Sequence, residues 1–308
     1  MHPNPLRLLA LASVLSAVAA QAGAPIVEDP KATAAVVETV PLTTLRFRSS
    51  YVFESDFDRG SNASGDAWSN SVEVGHRYPI SLPWSPADGA WYLRLGAEYS
   101  RFDFGNSGNL PLPDHLQSFA GVIALEYFVG LEVGILLETA PGFYFEDDVT
   151  SDAFDSPTKL AAAYQVSDGF FLVGGVTYSG LRSYPFIPVL GFVWRVTDQW
   201  LVRALVPEPR VIYRANENLA FWAGGELAGG SFRTDEDNGR PARLRNAALT
   251  YSEWRAGAGV TIGDPDRVAF ELGGGYAFNR KFDYHRADEV YNTGEGAPYI
   301  KATLRASF

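Results

Sequence analysis

From Thr44 onward the apolar and polar positions alternate with a period of two, the pattern of strands that carry one apolar face. Leu45, Phe47, Tyr51 and Phe53 alternate with Arg46, Arg48, Ser50 and Glu54; Trp91, Leu93, Leu95, Ala97 and Tyr99 alternate with Tyr92, Arg94, Gly96 and Glu98. The pattern recurs at 131–138, 253–262, 268–276 and 300–308. It is weaker at 68–80, 116–127, 158–166, 170–181, 186–196, 199–206, 210–214 and 219–233. No helical period of 3.6 stands out within 44–308.

The connections alternate in length. Short ones at 128–130, 167–169, 197–198, 215–218 and 263–267 interleave with long polar ones at 55–67, 101–115, 139–157, 234–252 and 277–299. Tight turns at one end and long loops at the other are the asymmetry of outer-membrane barrels. Three connections depart from it: 182–185 and 207–209 are too short, and 81–90 is too long for a tight turn. The expected fold is all-β, a closed antiparallel up-and-down transmembrane β-barrel of about 14 strands, or about 12 if the short 210–214 run is not a wall strand.

Charge placement sharpens this expectation, because an Arg or Lys on the lipid face costs roughly 2–4 kcal/mol at mid-depth. With the more apolar parity outward, Arg46, Arg48, Glu54, Glu73, Arg77, Arg94, Glu98, Glu126, Glu132, Glu138, Arg195, Arg203, Glu226, Glu253, Arg255, Glu271, Lys301 and Arg305 all fall inward. All but Glu54, Glu73, Arg77 and Arg195 are expected to line a pore. Lys159, Arg210, Arg214 and Arg233 sit at the ends of weak strands and remain unassigned. On closure Lys301 and Arg305 would neighbour Arg46 and Arg48, opposite Glu126, Glu132 and Glu138, setting a field across a water-filled lumen. The alternative is pairing across strands that plugs the lumen, to which Glu271 beside Lys301 and Arg305, and Glu253 beside Arg255, point locally. Trp84, Trp91, Trp194, Trp200, Tyr127 and Phe128 fall near the short turns, and Tyr51, Trp68, Tyr99, Tyr144 and Tyr178 toward the opposite ends. Two such belts suit headgroup depth on either side of a bilayer.

Ahead of the strands, one basic residue, an apolar stretch from Leu8 to Ala20 and the small-residue site Ala20-Gln21-Ala22 read as a cleavable signal peptide. The expected organisation is 1–22 signal peptide, 23–43 periplasmic linker and 44–308 barrel. The chain has no cysteine, which excludes disulfides and thiolate chemistry, and its formal charge of -11 argues against nucleic acid as a partner.

Candidate chemistry is sparse. His76 falls at outward strand parity, while Asp114 with His115, and His285, fall in loops where an imidazole base could act. No G-x-S-x-G or H-E-x-x-H motif accompanies them, so no catalytic residue is assigned and the chain is not expected to be an enzyme. Glu146, Asp147, Asp148, Asp152 and Asp155 crowd one loop; they resemble calcium ligands in type but not in spacing. Arg240, Arg243 and Arg245 form a basic counterpart suited to phosphate. No metal or cofactor is implied.

The terminal segment Ile300-Lys301-Ala302-Thr303-Leu304-Arg305-Ala306-Ser307-Phe308 resembles the closing strand by which bacterial outer-membrane barrels are recognised by their assembly machinery, with Phe308 as the signal residue. The stretches 200–213 (WLVRALVPEPRVIY) and 225–233 (GELAGGSFR) are similar to a family of outer-membrane barrels known only as a domain of unknown function. That resemblance, over 44–308, implies fold and bacterial outer-membrane location and brings no catalytic residue. The expected partners are outer-membrane lipid and lipopolysaccharide, the assembly machinery, and small polar solutes crossing a passive or weakly selective pore.

Overall fold

The computed structural model describes residues 43–58, 63–82, 89–105, 110–129, 132–236, 239–264 and 267–308. The expected signal peptide, all but the last residue of the linker, Trp84 and Leu131 lie outside the described residues. The strands are β1 (Thr43–Asp56), β2 (Ser64–Ile80), β3 (Gly89–Phe104), β4 (His115–Val129), β5 (Val133–Thr139), β6 (Gly142–Phe145), β7 (Phe154–Asp155), β8 (Thr158–Ser167) and β9 (Phe170–Tyr178). They continue with β10 (Phe186–Arg195), β11 (Trp200–Ala204), β12 (Arg210–Asn216), β13 (Leu219–Arg233), β14 (Ala248–Asp264), β15 (Val268–Tyr284), β16 (Glu289–Asn292) and β17 (Ala297–Ser307).

The sheet closes on itself, since β1 pairs antiparallel with both β2 and β17. β5 with β6, β7 with β8, and β16 with β17 are each one wall strand interrupted, which makes a closed antiparallel barrel of 14 wall strands. The twelve-strand alternative fails because β11 and β12 are each paired on both sides, to β10 and β12 and to β11 and β13.

The outward face is apolar through the middle of the wall. Leu45, Phe47, Val72, Val74, Leu95, Ile123, Leu137, Phe270, Leu272, Ile300 and Leu304 are all exposed. Near the short turns Trp91 stacks on Tyr127 at 4.2 Å and Trp200 meets Tyr213 at 4.9 Å; toward the opposite ends Tyr51 meets Phe53 at 5.0 Å and Tyr178 meets Phe186 at 5.1 Å. Hydrophobic surface of this extent is stable only against lipid or a partner.

Several strands run past the expected boundaries, and there the parity inverts. On β3, Arg101 and Asp103 face outward and pair at 2.7 Å, while Phe102 and Phe104 point inward. Phe104, Tyr251 and Phe282 pack with Phe57, Leu112, Leu116, Phe232, Leu244 and Tyr284 as a buried apolar core in the loop-side half. Bulges reset the alternation between Val52 and Ser55 on β1 and between Trp254 and Ser252 opposite β15, where Asn279 adopts a positive φ of 53°. The expected loops at 101–115 and 277–299 are therefore partly strand.

The wall is uneven. β11 has 5 residues and β12 has 7, fewer than the roughly 9–11 that a spanning strand takes. Beyond their hairpin, Phe186–Gly191 of β10 pairs only with β9. The returning segment is tied to β13 through Leu227 N–H to the Pro207 carbonyl and Gly225 N–H to the Pro209 carbonyl, each at 2.8 Å. At the rim, Phe145 of β6 meets Arg233 of β13, and Glu146 N–H donates to the Arg233 carbonyl at 3.1 Å. β1–β4, β6, β13–β15 and β17 thus close a narrower ring above β8–β12.

Candidate functional site: the charged lumen

Most of the inward charges are buried, and most of them engage one another in two knots. In the first, Glu126 takes Arg77 at 2.9 Å and Arg94 at 3.2 Å, and Glu138 takes Lys159 at 2.9 Å together with Arg94. In the second, three carboxylates gather the basic side chains. Glu226 takes Lys301 at 2.8 Å and Arg48 at 3.6 Å; Glu271 holds Arg210 by both oxygens at 2.8 and 3.1 Å. Glu208 stands 3.3 Å from Arg48, 3.4 Å from Lys301 and 3.5 Å from Arg210. Beside them Glu253, wholly buried, takes Arg255 at 2.9 Å and lies 3.6 Å from Arg280.

Cross-strand register explains why these groups meet. Arg46 stands directly opposite Arg305, Arg203 opposite Arg210, Arg77 opposite Arg94, and Glu73 opposite Glu98. Like charges face to face are unfavourable, and these groups turn to opposite charge: Arg77 and Arg94 to Glu126, Glu73 to Arg94, Arg210 and Arg305 to Glu271. Inward glycines make the space. A Cβ on Gly259 or Gly273 would lie 2.6 or 2.4 Å from the Trp222 ring, and one on Gly257 would lie 2.4 Å from the Tyr299 hydroxyl. Trp222 lies over this glycine floor with the Arg210 guanidinium 4.1 Å from its ring centre.

The expected positions distribute as follows. Arg46, Arg48, Arg94, Glu98, Glu126, Glu138, Arg203, Glu226, Glu253, Arg255, Glu271, Lys301 and Arg305 all lie on inward strand positions. Glu132 does not: it is exposed in the turn before β5, beyond the last wall pair, where parity no longer selects a face. The expected separation of a basic from an acidic wall is also corrected, because each carboxylate on β4 and β5 is already met by Arg77, Arg94 or Lys159. Four participants were missed: Lys159, Glu208, Arg210 and Arg280. Leu160, Tyr164 and Val166, all exposed, carried the outward parity that places Lys159 inward. Glu208 belongs to no strand, and no alternation could place it.

The loop candidates disperse. His115 Nε2 pairs with Asp147 at 2.7 Å, while His285 lies beside Asp283, Arg286 and Arg233; among the described residues no hydrogen bond joins the two histidines. His76 faces outward against Thr43 Oγ1 at 2.8 Å. Ligand oxygens of Glu146, Asp147 and Asp235 lie within 4.8 Å of one another, but Glu146 is gripped by Arg240 at 2.8 Å, and Asp235 accepts the Asp147 and Asp148 N–H groups. Burial raises the Asp235 carboxyl above its ordinary value. Asp155 accepts Ser179 Oγ at 2.6 Å, Arg243 pairs with Glu289 at 2.7 Å, and Arg245 donates to the Arg240 carbonyl at 2.7 Å. These groups fasten loops to one another rather than forming a cation cage or a free phosphate-binding patch.

No family model and no curated protein matches the chain, so the family resemblance of 200–213 and 225–233 stands on those residues alone. Among solved structures, the chain is similar to the COG4313 outer membrane channel from Pseudomonas putida F1, with 10% identity over 87% of this chain and 96% of that one, TM-score 0.46. It is also similar to Pseudomonas putida OprB, with 8% identity over 87% and 94%, TM-score 0.37. A third likeness is to LpxR from Salmonella typhimurium, with 10% identity over 86% and 100%, TM-score 0.38. The barrel assignment rests on the chain's own strand pairing; likenesses this distant say nothing of substrate or activity.

Proposed function

We propose that the chain is an integral barrel of the bacterial outer membrane, and that its lumen is a passage for small polar solutes held shut at rest by ion pairs. The exposed apolar band and two aromatic belts support the membrane placement. The observation that carries the closed passage is Glu208. Arg48, Arg210 and Lys301 converge on a carboxylate borne not by a wall strand but by the turn of the two shortest ones. Its neighbours are polar, so release of this turn opens a hydrophilic path.

The second reading, a permanently plugged barrel, is favoured by the burial of most of the inward charges. Conductance of the refolded mature chain in planar bilayers separates the two. The wild type is expected to be silent or rarely open, and Glu208→Gln to show stable ionic steps. A folded, heat-modifiable Glu208→Gln barrel that stays silent overturns the gated reading and leaves the plug.

A further inference from the structure

We infer that the turn-side mouth beside β11, β12 and β13 is a binding site for a small anion of carboxylate size. A cavity of about 30 Å³ opens there, lined by Arg203, Arg210, Arg214, Trp222, Thr261 and Glu271 among others. That is room for one or two waters, or for the head of an organic acid.

The charge balance of this corner is what calls for an anion. Arg203 and Arg210 stand opposite each other across β11 and β12, an arrangement that repels unless negative charge bridges it, and Glu208 bridges them only at length, 3.5 Å from Arg210 and 4.0 Å from Arg203. Glu271 serves Arg210 with both oxygens and is shared further with Arg305 at 3.6 Å and Lys301 at 3.9 Å. Arg203 receives less. Its Nε donates to the Glu208 carbonyl at 3.3 Å, while its Nη2, 4.0 Å from the Glu208 carboxylate, is buried with no hydrogen-bond partner among the described residues.

A second buried donor there is also unanswered: Trp222 Nε1 has no acceptor among the described residues. The floor of Gly259 and Gly273 and the Arg210 guanidinium over its ring fix the direction of that N–H. Both orphaned side-chain atoms of the lining are thus donors, and a guanidinium fork matches a carboxylate in shape as well as charge. A cation would meet Arg203, Arg210 and Arg214, and an apolar ligand would leave both donors unsatisfied. That the mouth faces the periplasm rests on the outer-membrane reading above; anion binding there does not.

Sodium acetate titrated calorimetrically into the refolded, detergent-solubilised full barrel tests the site, with bromide-soaked crystals locating it by anomalous scattering. Saturable acetate binding is expected, weakened about tenfold or more in Arg203→Gln, with a bromide peak within hydrogen-bond reach of Arg203 Nη2. If Arg203→Gln does not fold, Trp222→Phe removes one donor while keeping the ring, and weaker binding is again expected. Folded wild type that binds neither acetate nor bromide, or binding unchanged in the folded variant, overturns the proposal. Both readouts use protein outside a bilayer, so a barrel silent in conductance leaves this inference standing.

Discussion

Gly273 is opposite Gly259 in the β14–β15 register, and the absence of a Cβ at both leaves the space that the Trp222 indole occupies. Forcing a methyl group into packed space costs about 1–3 kcal/mol, so Gly273→Ala should lower the urea midpoint of the refolded barrel. Gly121→Ala, where a Cβ finds its nearest neighbour 4.0 Å away, should leave it unchanged; equal effects of the two would refute the floor. His285 offers a test in pH. Burial, and then Arg286 and Arg233, hold its value below the ordinary 6.5, with Asp283 opposing, and its Nδ1 has no hydrogen-bond partner among the described residues. Because the folded state resists the proton, the contribution of neutral His285 is complete above 6.5 and is lost as pH falls through the lowered folded value. Limited proteolysis of the loop after β15 should therefore quicken on acidification in the wild type, and His285→Gln should flatten that part of the profile.

At the level of the strand, parity decides which substitutions are tolerated. Ile123 is exposed on the outward face of β4, and Ile123→Arg should cost about 2–4 kcal/mol in vesicle unfolding if that face meets acyl chains. Glu253→Gln on β14 acts by another route. It strips the partner from Arg255 inside the lumen, and breaking a buried pair costs about 3–5 kcal/mol. A substitution at Ile123 without effect would place that face in water. The same parity explains which strands are legible in the amino-acid sequence. Runs such as 91–99 and 300–308 keep one apolar face along the wall, and their inward charges follow directly. The readable pattern stops where β3 and β15 leave the apolar band, because Phe102, Phe104 and Phe282 turn inward there while Arg101 and Lys281 turn out. The bulges at Val52–Ser55 and near Asn279 shift the register by a residue, so apolar alternation beyond them reads as loop. Glu208 is illegible for a different reason: its position follows from how far a hairpin reaches, a property of the assembled wall.

For the whole molecule, the distinction between a lipid face and a packed interior is measurable with its own tryptophans. Trp254 is exposed on the outward side and Trp222 is buried on the inward side. In vesicles with brominated acyl chains, a chain retaining only Trp254 should be strongly quenched and one retaining only Trp222 should not; equal quenching would contradict the proposed placement in a membrane. Strand number and closure are open to sequence reasoning because fourteen alternating runs and two kinds of connection recur along the chain. The closed lumen is not, because whether inward charges face water or one another depends on cross-strand partners that alternation does not name. Under the proposed membrane placement, the contact of β6 with β13 bears on the lipid around the barrel. With five wall strands bypassed at that rim, the molecule tapers, and in a bilayer a tapered inclusion displaces more area from one leaflet than from the other. Its wide end lies on the side of the short turns. Under the proposed orientation it therefore acts as a wedge in the periplasmic leaflet, and its energy in the membrane depends on local curvature as well as on thickness.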